Sequence, residues 1–309
     1  MNILVAGELN VDLVLQNYQS FPALGREVLV EDVSLTLGSA SAICAAGLAK
    51  LGNAVSYAGK IGRDEWGDRC LNALRSLGID TRYVIPDDSI KTGITVSVTS
   101  PGDRALITYL GSIAAMRAAD LEGVGLARFQ HLHVSSFFLQ QRLRPDIKSL
   151  LRQAHGLGLT TSLDPGFDPE EGWGSDLIDA LTEVDVFLPN EVELEGITKQ
   201  SEVAAALRQL DNGRTLTVAK LGSQGCAVLL DGALLRLPAF AVQPVDTTGA
   251  GDSFNAGFLH AWLRRQPLPE AMRFAAACGA ISTQGSGGTA TQATEAEAQQ
   301  FLTKAGAAA

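Results

Sequence analysis

The sequence predicts an α/β fold with a mostly parallel central sheet and a small accessory β-sheet. Three observations predict it. From about residue 130 onward, short apolar runs alternate with helix-patterned segments, the order that parallel strands covered by helices on both faces require. Two stretches nearer the front, residues 26–37 and 93–100, alternate apolar and polar side chains instead, as strands with one wet face do. The chain has 309 residues, 46% hydrophobic and 19% charged, enough apolar material for one large core.

The elements follow in order. Residues 3–7 are an apolar run ending in glycine, a buried strand. Residues 26–37, "REVLVEDVSLTL", form the first alternating strand. Residues 40–51 are alanine-rich and stop at Gly52, and residues 65–77 stop at Gly78, so both read as helices with a glycine C-cap. "GITVSVTS" at 93–100 passes through a Pro-Gly-Asp turn at 101–103 into "RALITYL", which predicts a hairpin. Strands are predicted at 131–135, 160–164, 186–188, 215–221 and 226–230. Helices are predicted at 145–155, 202–210, 251–265, 269–283 and 294–303, and the tail "AGAAA" is expected to fray. No repeat or linker interrupts this order, so one domain over residues 1–309 is expected, with insertions at about 12–37 and 92–110 forming a lid.

Composition excludes several function classes. A net charge of −10 argues against nucleic acid or an anionic membrane as partner. Small anions stay admissible, because helix N-termini bind them inside an acidic protein. Cys44, Cys70, Cys226 and Cys278 form no metal-binding or redox spacing and read as reduced core residues. The N-terminus lacks a basic leader and no apolar run spans a bilayer, so a cytoplasmic location is expected.

The segment "VDTTGAGDSF" at 245–254 carries the chemistry. Gly249, Ala250 and Gly251 let backbone N–H groups approach a ligand, and a helix starting at about Gly251 points its positive end at the same place. That is an anion hole. Asp252 beside it is either a helix cap or a general base for a hydroxyl that attacks a phosphoryl group held by those amides. No P-loop and no dinucleotide fingerprint occurs, and "GDSFN" places Asn255 where a nucleophile elbow needs glycine. An α/β hydrolase is therefore a poor fit.

"DTTGAGDSFNAGF" resembles the second signature of the ribokinase-like (PfkB) carbohydrate kinases. Further resemblances run along nearly the whole chain: "GELNVD" at 7–12, "GREV" at 25–28, "GKIGRDEWGD" at 59–68, "LDPGF" at 163–167, "PNEVELEGIT" at 189–198 and "KLGSQG" at 220–225. The resemblance implies a three-layer sandwich and ATP-dependent phosphorylation of a sugar hydroxyl. It implies Asp252 as base and the amides of Gly249, Ala250 and Gly251 as holders of the transferring phosphoryl group. Asn190 and Glu193 would organise Mg²⁺ through water; Lys220, Gly222, Ser223, Gly225, Thr248 and Gly287 would line the nucleotide. The segment 277–288 corresponds to the region that packs on adenine. Asp246 and Thr248 match positions that bind an activating K⁺ in relatives, through carbonyl and carboxylate oxygens. Lys220 offsets phosphate charge or is a strand-end lysine facing solvent.

The sugar motifs depart from the family pattern. "GSASAICAAG" carries Ser39 for the usual second glycine and Ile43 for the usual asparagine, and "GSI" at 111–113 replaces a second Gly-Ala-Asn. Fewer amides and a more apolar wall should change which sugar is accepted. Asn10, Asp12, Gly38 and Ser39 remain candidate sugar contacts together with Asp252, and Ser41 is a further donor. Arg26, Lys60, Arg63 and Arg104 form no cluster that calls for a second phosphate. The favoured substrate is a neutral monosaccharide, ribose- or fructose-like; a sugar acid, a nucleoside and a non-catalytic sugar or nucleotide sensor are the alternatives. His131 and His133 lack a third metal ligand, and Trp66, Trp173 and Trp262 read as packing residues. A homodimer through the lid is expected if its exposed strand faces pair between subunits.

Overall fold

The structure, a computed structural model, describes every residue except Gln19, Pro101, Gly102, Ala308 and Ala309. Its elements in chain order are β1 (Asn2–Ala6), β2 (Asn10–Gln16), β3 (Asp32–Leu37), α1 (Ala40–Lys50), β4 (Ala54–Gly62), α2 (Glu65–Ser76), β5 (Asp80–Asp87), β6 (Gly93–Ser100) and β7 (Asp103–Tyr109). There follow β8 (His131–Val134), α3 (Ile147–Gly156), β9 (Thr160–Leu163), α4 (Ser175–Leu181), β10 (Val186–Phe187), α5 (Glu191–Thr198) and α6 (Val203–Leu210). The chain ends with β11 (Leu216–Lys220), β12 (Cys226–Leu230), β13 (Ala233–Leu237), α7 (Ala250–Leu263), α8 (Leu268–Ser282) and α9 (Glu295–Ala307).

Nine strands form the central sheet in the order β13-β12-β11-β10-β9-β8-β1-β4-β5. All neighbours from β5 to β11 are parallel, and β12 and β13 add antiparallel at one edge. Parallel strands deliver all their C-terminal ends to one edge, where ligands of such sheets bind. One face packs α1, α2, α7 and α8 through residues such as Leu48, Leu74, Phe258 and Phe274. The other packs α3, α4, α5 and α6 through Leu151, Leu177, Leu194 and Leu207. Trp173 lies in this second core, and Trp66 and Trp262 pack against the first.

A second sheet has the order β3-β2-β6-β7. Its outer pairs are antiparallel and its central β2–β6 pair is parallel. The hairpin closes at Ser100↔Asp103; its tip, the predicted turn residues Pro101 and Gly102, lies outside the described residues, as does the end of the predicted frayed tail.

Some predicted boundaries moved. Residues 26–31 are not strand: the β2–β3 ladder ends at Gln16↔Asp32, and Glu31 N adds one closing hydrogen bond to the Gln16 carbonyl at 3.0 Å. "GKIG" at 59–62, which in relatives resembling this chain begins a glycine-rich turn before an early helix, is here the end of β4. Gly59 is there because a Cβ would stand 2.7 Å from the carbonyl oxygen of Gly7, just past the end of the neighbouring β1. β4, β5 and β13 carried no strand prediction. The first half of segment 277–288 belongs to α8, where Cys278 and Gly279 are buried against α7.

Candidate active site

Gly249 caps α7 in the left-handed region at φ 71°. A Cβ there would meet Gly288 Cα at 2.8 Å and Ile43 Cγ2 at 2.9 Å, so only glycine fits. Ala250 opens the helix, Gly251 is exposed, and Asp252 lies half-buried in the first turn. The positive end of the helix thus lies beside the carboxylate of its own first turn, and the Ala250 amide donates to the Thr247 carbonyl at 3.2 Å. Ile43, which replaces the family's asparagine, is the floor on which this turn rests.

Behind the turn stands a buried ion pair. Lys220 Nζ donates to Asp164 Oδ2 at 2.6 Å, and the same oxygen accepts from Asn255 Nδ2 at 2.6 Å. Gly166 N donates to Asp164 Oδ1 at 2.9 Å. Burial works against the charged Asp164, but the Lys220 ammonium and these hydrogen bonds more than offset it and hold its pKa below the usual range. Burial likewise disfavours the ammonium, and Asp164 and Glu193 outweigh it, so Lys220 stays charged. Lys220 is therefore not a strand-end lysine facing solvent. Asp164, in "LDPGF", was not among the predicted site residues; its position at the end of a buried strand was the available signal.

Asn190 and Glu193 form a capping box on α5: Asn190 Oδ1 accepts from Glu193 N at 2.9 Å and Glu193 Oε2 from Asn190 N at 2.8 Å. The pair thus does cap a helix, yet Glu193 is buried rather than on the surface. Burial, reinforced by Asp164, raises its pKa to about 7. Asn190 also bridges to Lys220 through the backbone. Among the described residues no three His, Cys, Asp or Glu side chains converge to hold a metal by themselves. One carboxylate and one amide fit a hard cation that keeps most of its water and arrives with phosphate oxygens. His131 and His133 are buried and hydrogen-bonded to Thr160, Ser162 and Ser135.

The remaining predicted nucleotide residues flank this centre. Gly222 and Ser223 lie in an exposed turn after β11, with open space where a Gly222 Cβ would stand. Gly225 packs against the Leu237 carbonyl and lines nothing on that side. Asp246 ties two loops together: Oδ1 accepts from Thr248 N and Oδ2 from Gly287 N, both at 2.8 Å. Its carboxylate oxygens are thus each engaged by an amide, which differs from an open cation ligand. Gly287 is buried at φ 83° and faces Thr36 of β3.

Of the predicted sugar contacts, Asn10, Asp12 and Gly38 converge. Asn10 Nδ2 donates to Asp12 Oδ1 at 2.9 Å, and a Cβ on Gly38 would stand 2.5 Å from Asp12 Cγ. Ser39 does not join them as a free donor. Its hydroxyl donates to the Glu8 carbonyl at 2.5 Å and accepts from Ala42 N at 3.0 Å, capping α1. Ser41 likewise gives its hydroxyl to the Glu8 carboxylate. Glu8 is the residue the sequence reading passed over: it is buried and also accepts from Ser136 Oγ at 2.9 Å, and burial raises its pKa. A charged residue ending an apolar strand was the signal. Of the basic residues, Lys60 pairs with Asp120 and Arg63 with Asp88.

Residues 1–295 match the pfkB family carbohydrate kinases. The chain belongs to this family. It is an ATP-dependent carbohydrate kinase. It is 28% identical to a ribokinase of Bacillus subtilis over 97% of this chain and 99% of that one. It is 30% identical to fructokinase-1 of Zea mays over 87% of this chain and 88% of the relative. The crystal structure of a putative ribokinase II from E. coli, in complex with ATP and Mg²⁺, superposes with a TM-score of 0.86 at 20% identity, covering 98% of this chain and 99% of that one. Among the described residues no helix is long and apolar enough to cross a membrane.

Proposed function

We propose that this pfkB kinase phosphorylates one hydroxyl of a small neutral monosaccharide, ribose- or fructose-like. The observation that carries this reading is the placement of Asp252 in the first turn of α7, behind Gly249, where no side chain fits. Asn10, Asp12 and Gly38 hold the sugar hydroxyls, and Asp252 takes the proton of the acceptor. The amides of Gly249, Ala250 and Gly251 bind the phosphoryl group as its charge redistributes. Bound Mg²⁺ neutralises phosphate charge, and Asn190 and Glu193 orient its water shell. The exposed turn at Gly222 and Ser223, with Thr248 and Gly287 across from it, lines the nucleotide. K⁺ at the Asp246–Thr248 turn relies on main-chain carbonyls, since amides already engage the Asp246 carboxylate.

The four-stranded sheet acts as a lid that excludes water from the transfer. By register, Asp12, Thr36 and Thr95 lie on one face, and Val33, Ile107 and Tyr109 on the other. Those three apolar side chains are 57%, 56% and 52% exposed, and the homodimer forms by covering them with a second copy.

The test is ADP release across pentoses, hexoses, ketoses, sugar acids, nucleosides and sugar phosphates with Mg-ATP, with and without K⁺. Turnover of one neutral monosaccharide far above the rest supports the reading. Preference for a sugar acid, nucleoside or sugar phosphate overturns it.

A further inference from the structure

Lys220 carries three N–H donors on a side chain only 11% exposed, and Asp164 Oδ2 is its one hydrogen-bond partner among the described residues. A buried ammonium with two unused donors is poorly satisfied by the fold alone. Nor does a buried ion pair stabilise a fold better than two well-packed apolar side chains would. The partner's own environment is equally uneconomical: Asn255 holds Asp164 through Nδ2, while its Oδ1 is buried without a partner. The direction of the lysine supplies the reason. Its Nζ lies 3.6 Å from the point where a Cβ on Gly251 would stand, and the next nearest atoms there, at 3.8 and 3.9 Å, are Cδ and Cε of the same lysine. The ammonium is therefore next to the turn that opens α7, on the side left open by glycine.

Resting on the kinase reading above, we propose that Lys220 binds the terminal phosphoryl oxygens of the nucleoside triphosphate, and that Asp164 and Asn255 are positioning residues that aim it. Three carboxylates, Asp164, Glu193 and Asp252, influence this lysine electrostatically. A triphosphate entering among them needs a fixed cation in addition to amides. Lys220 thus acts at the reacting end of the nucleotide rather than along its sugar or base. The strand order explains how the parts meet: β9 and β11 flank β10, so Asp164 and Lys220 emerge on either side of the strand that leads to Asn190 and Glu193.

The experiment is calorimetric titration of the full chain with Mg-ADP and with the Mg complex of a non-hydrolysable ATP analogue. Wild type is compared with Asp164→Asn and with the double variant Lys220→Met/Asp164→Asn, which removes both charges and leaves no lone buried ion. The wild type should prefer the triphosphate, and the double variant should lose at least about tenfold of that preference with ADP affinity nearly unchanged. Asp164→Asn should lose part of it. Equal weakening of both nucleotides, with a lowered melting temperature, would reduce the pair to a structural role and overturn the proposal. An unchanged preference overturns it too. Failure of the wild type to bind either nucleotide would instead sink the kinase reading itself.

Discussion

Ile43 packs directly beneath Gly249: a Cβ at 249 would stand 2.9 Å from Ile43 Cγ2. One residue marks the departure from the family's sugar motif and the other the left-handed turn that opens α7, so the apolar side chain supports from below the turn proposed to hold the phosphoryl group. Gly249→Ala should therefore disable the site without unfolding the chain. Strain at positive φ costs about 1–2 kcal/mol, and displacement of the amides should lower kcat by about a hundredfold or more. Steady-state kinetics beside a urea midpoint separate the two effects; unchanged kcat would remove this turn from the mechanism.

Asp252→Asn keeps the shape of the first turn of α7 and removes the proton acceptor. The expected loss in kcat is about 10²- to 10⁴-fold, with ATP affinity retained. Turnover within a few-fold of wild type would mean that another group takes the proton.

Ser39 sits at φ 76°, a conformation that favours glycine, yet its hydroxyl caps α1. Ser39→Ala keeps the strain and loses the cap, and should cost about 1–2 kcal/mol. Ser39→Gly loses the same cap but relieves the strain and should cost less. Chemical denaturation that ranks glycine below alanine would contradict the strain.

His133 gives a pH signature. Burial lowers its pKa from 6.5 to about 4, so between those values the unfolded chain binds a proton that the folded chain does not. Stability from this group is full above pH 6.5 and is lost as pH falls through 4. Burial depresses His131 in the same direction. Glu193, raised from 4.5 to about 7, works with the opposite sign: its contribution is full below 4.5 and lost as pH rises through 7. His133→Gln should therefore flatten the acid loss of stability between pH 6.5 and 4 while leaving the Glu193 slope. Urea midpoints at half-unit pH steps would check it; identical slopes in variant and wild type would contradict a neutral buried imidazole.

Much of the fold was legible because buried strands and glycine-capped helices announce themselves locally. Residues 131–135 and 160–164 read as strands because short segments between helical patterns in an alternating α/β order have few alternatives. β4 was missed because Gly59 looks like a turn residue in sequence, while in space it is the thin point that lets two strands approach. Residues 26–31 alternate convincingly, but alternation cannot supply a partner, and the β2–β3 ladder ends at Gln16↔Asp32.

The sequence by itself determined the α/β class and the family, since each rests on contiguous residues whose backbone chemistry is local. Tertiary structure alone decided what the side chains do once the strand ends meet. It turned Ser39 and Ser41 away from the sugar and toward Glu8, and it put Asp164 against Lys220 from 56 residues away. The reason is physical: hydrogen-bond and charge partners are chosen by distance in space, and a parallel sheet brings together the ends of strands that the chain itself keeps far apart.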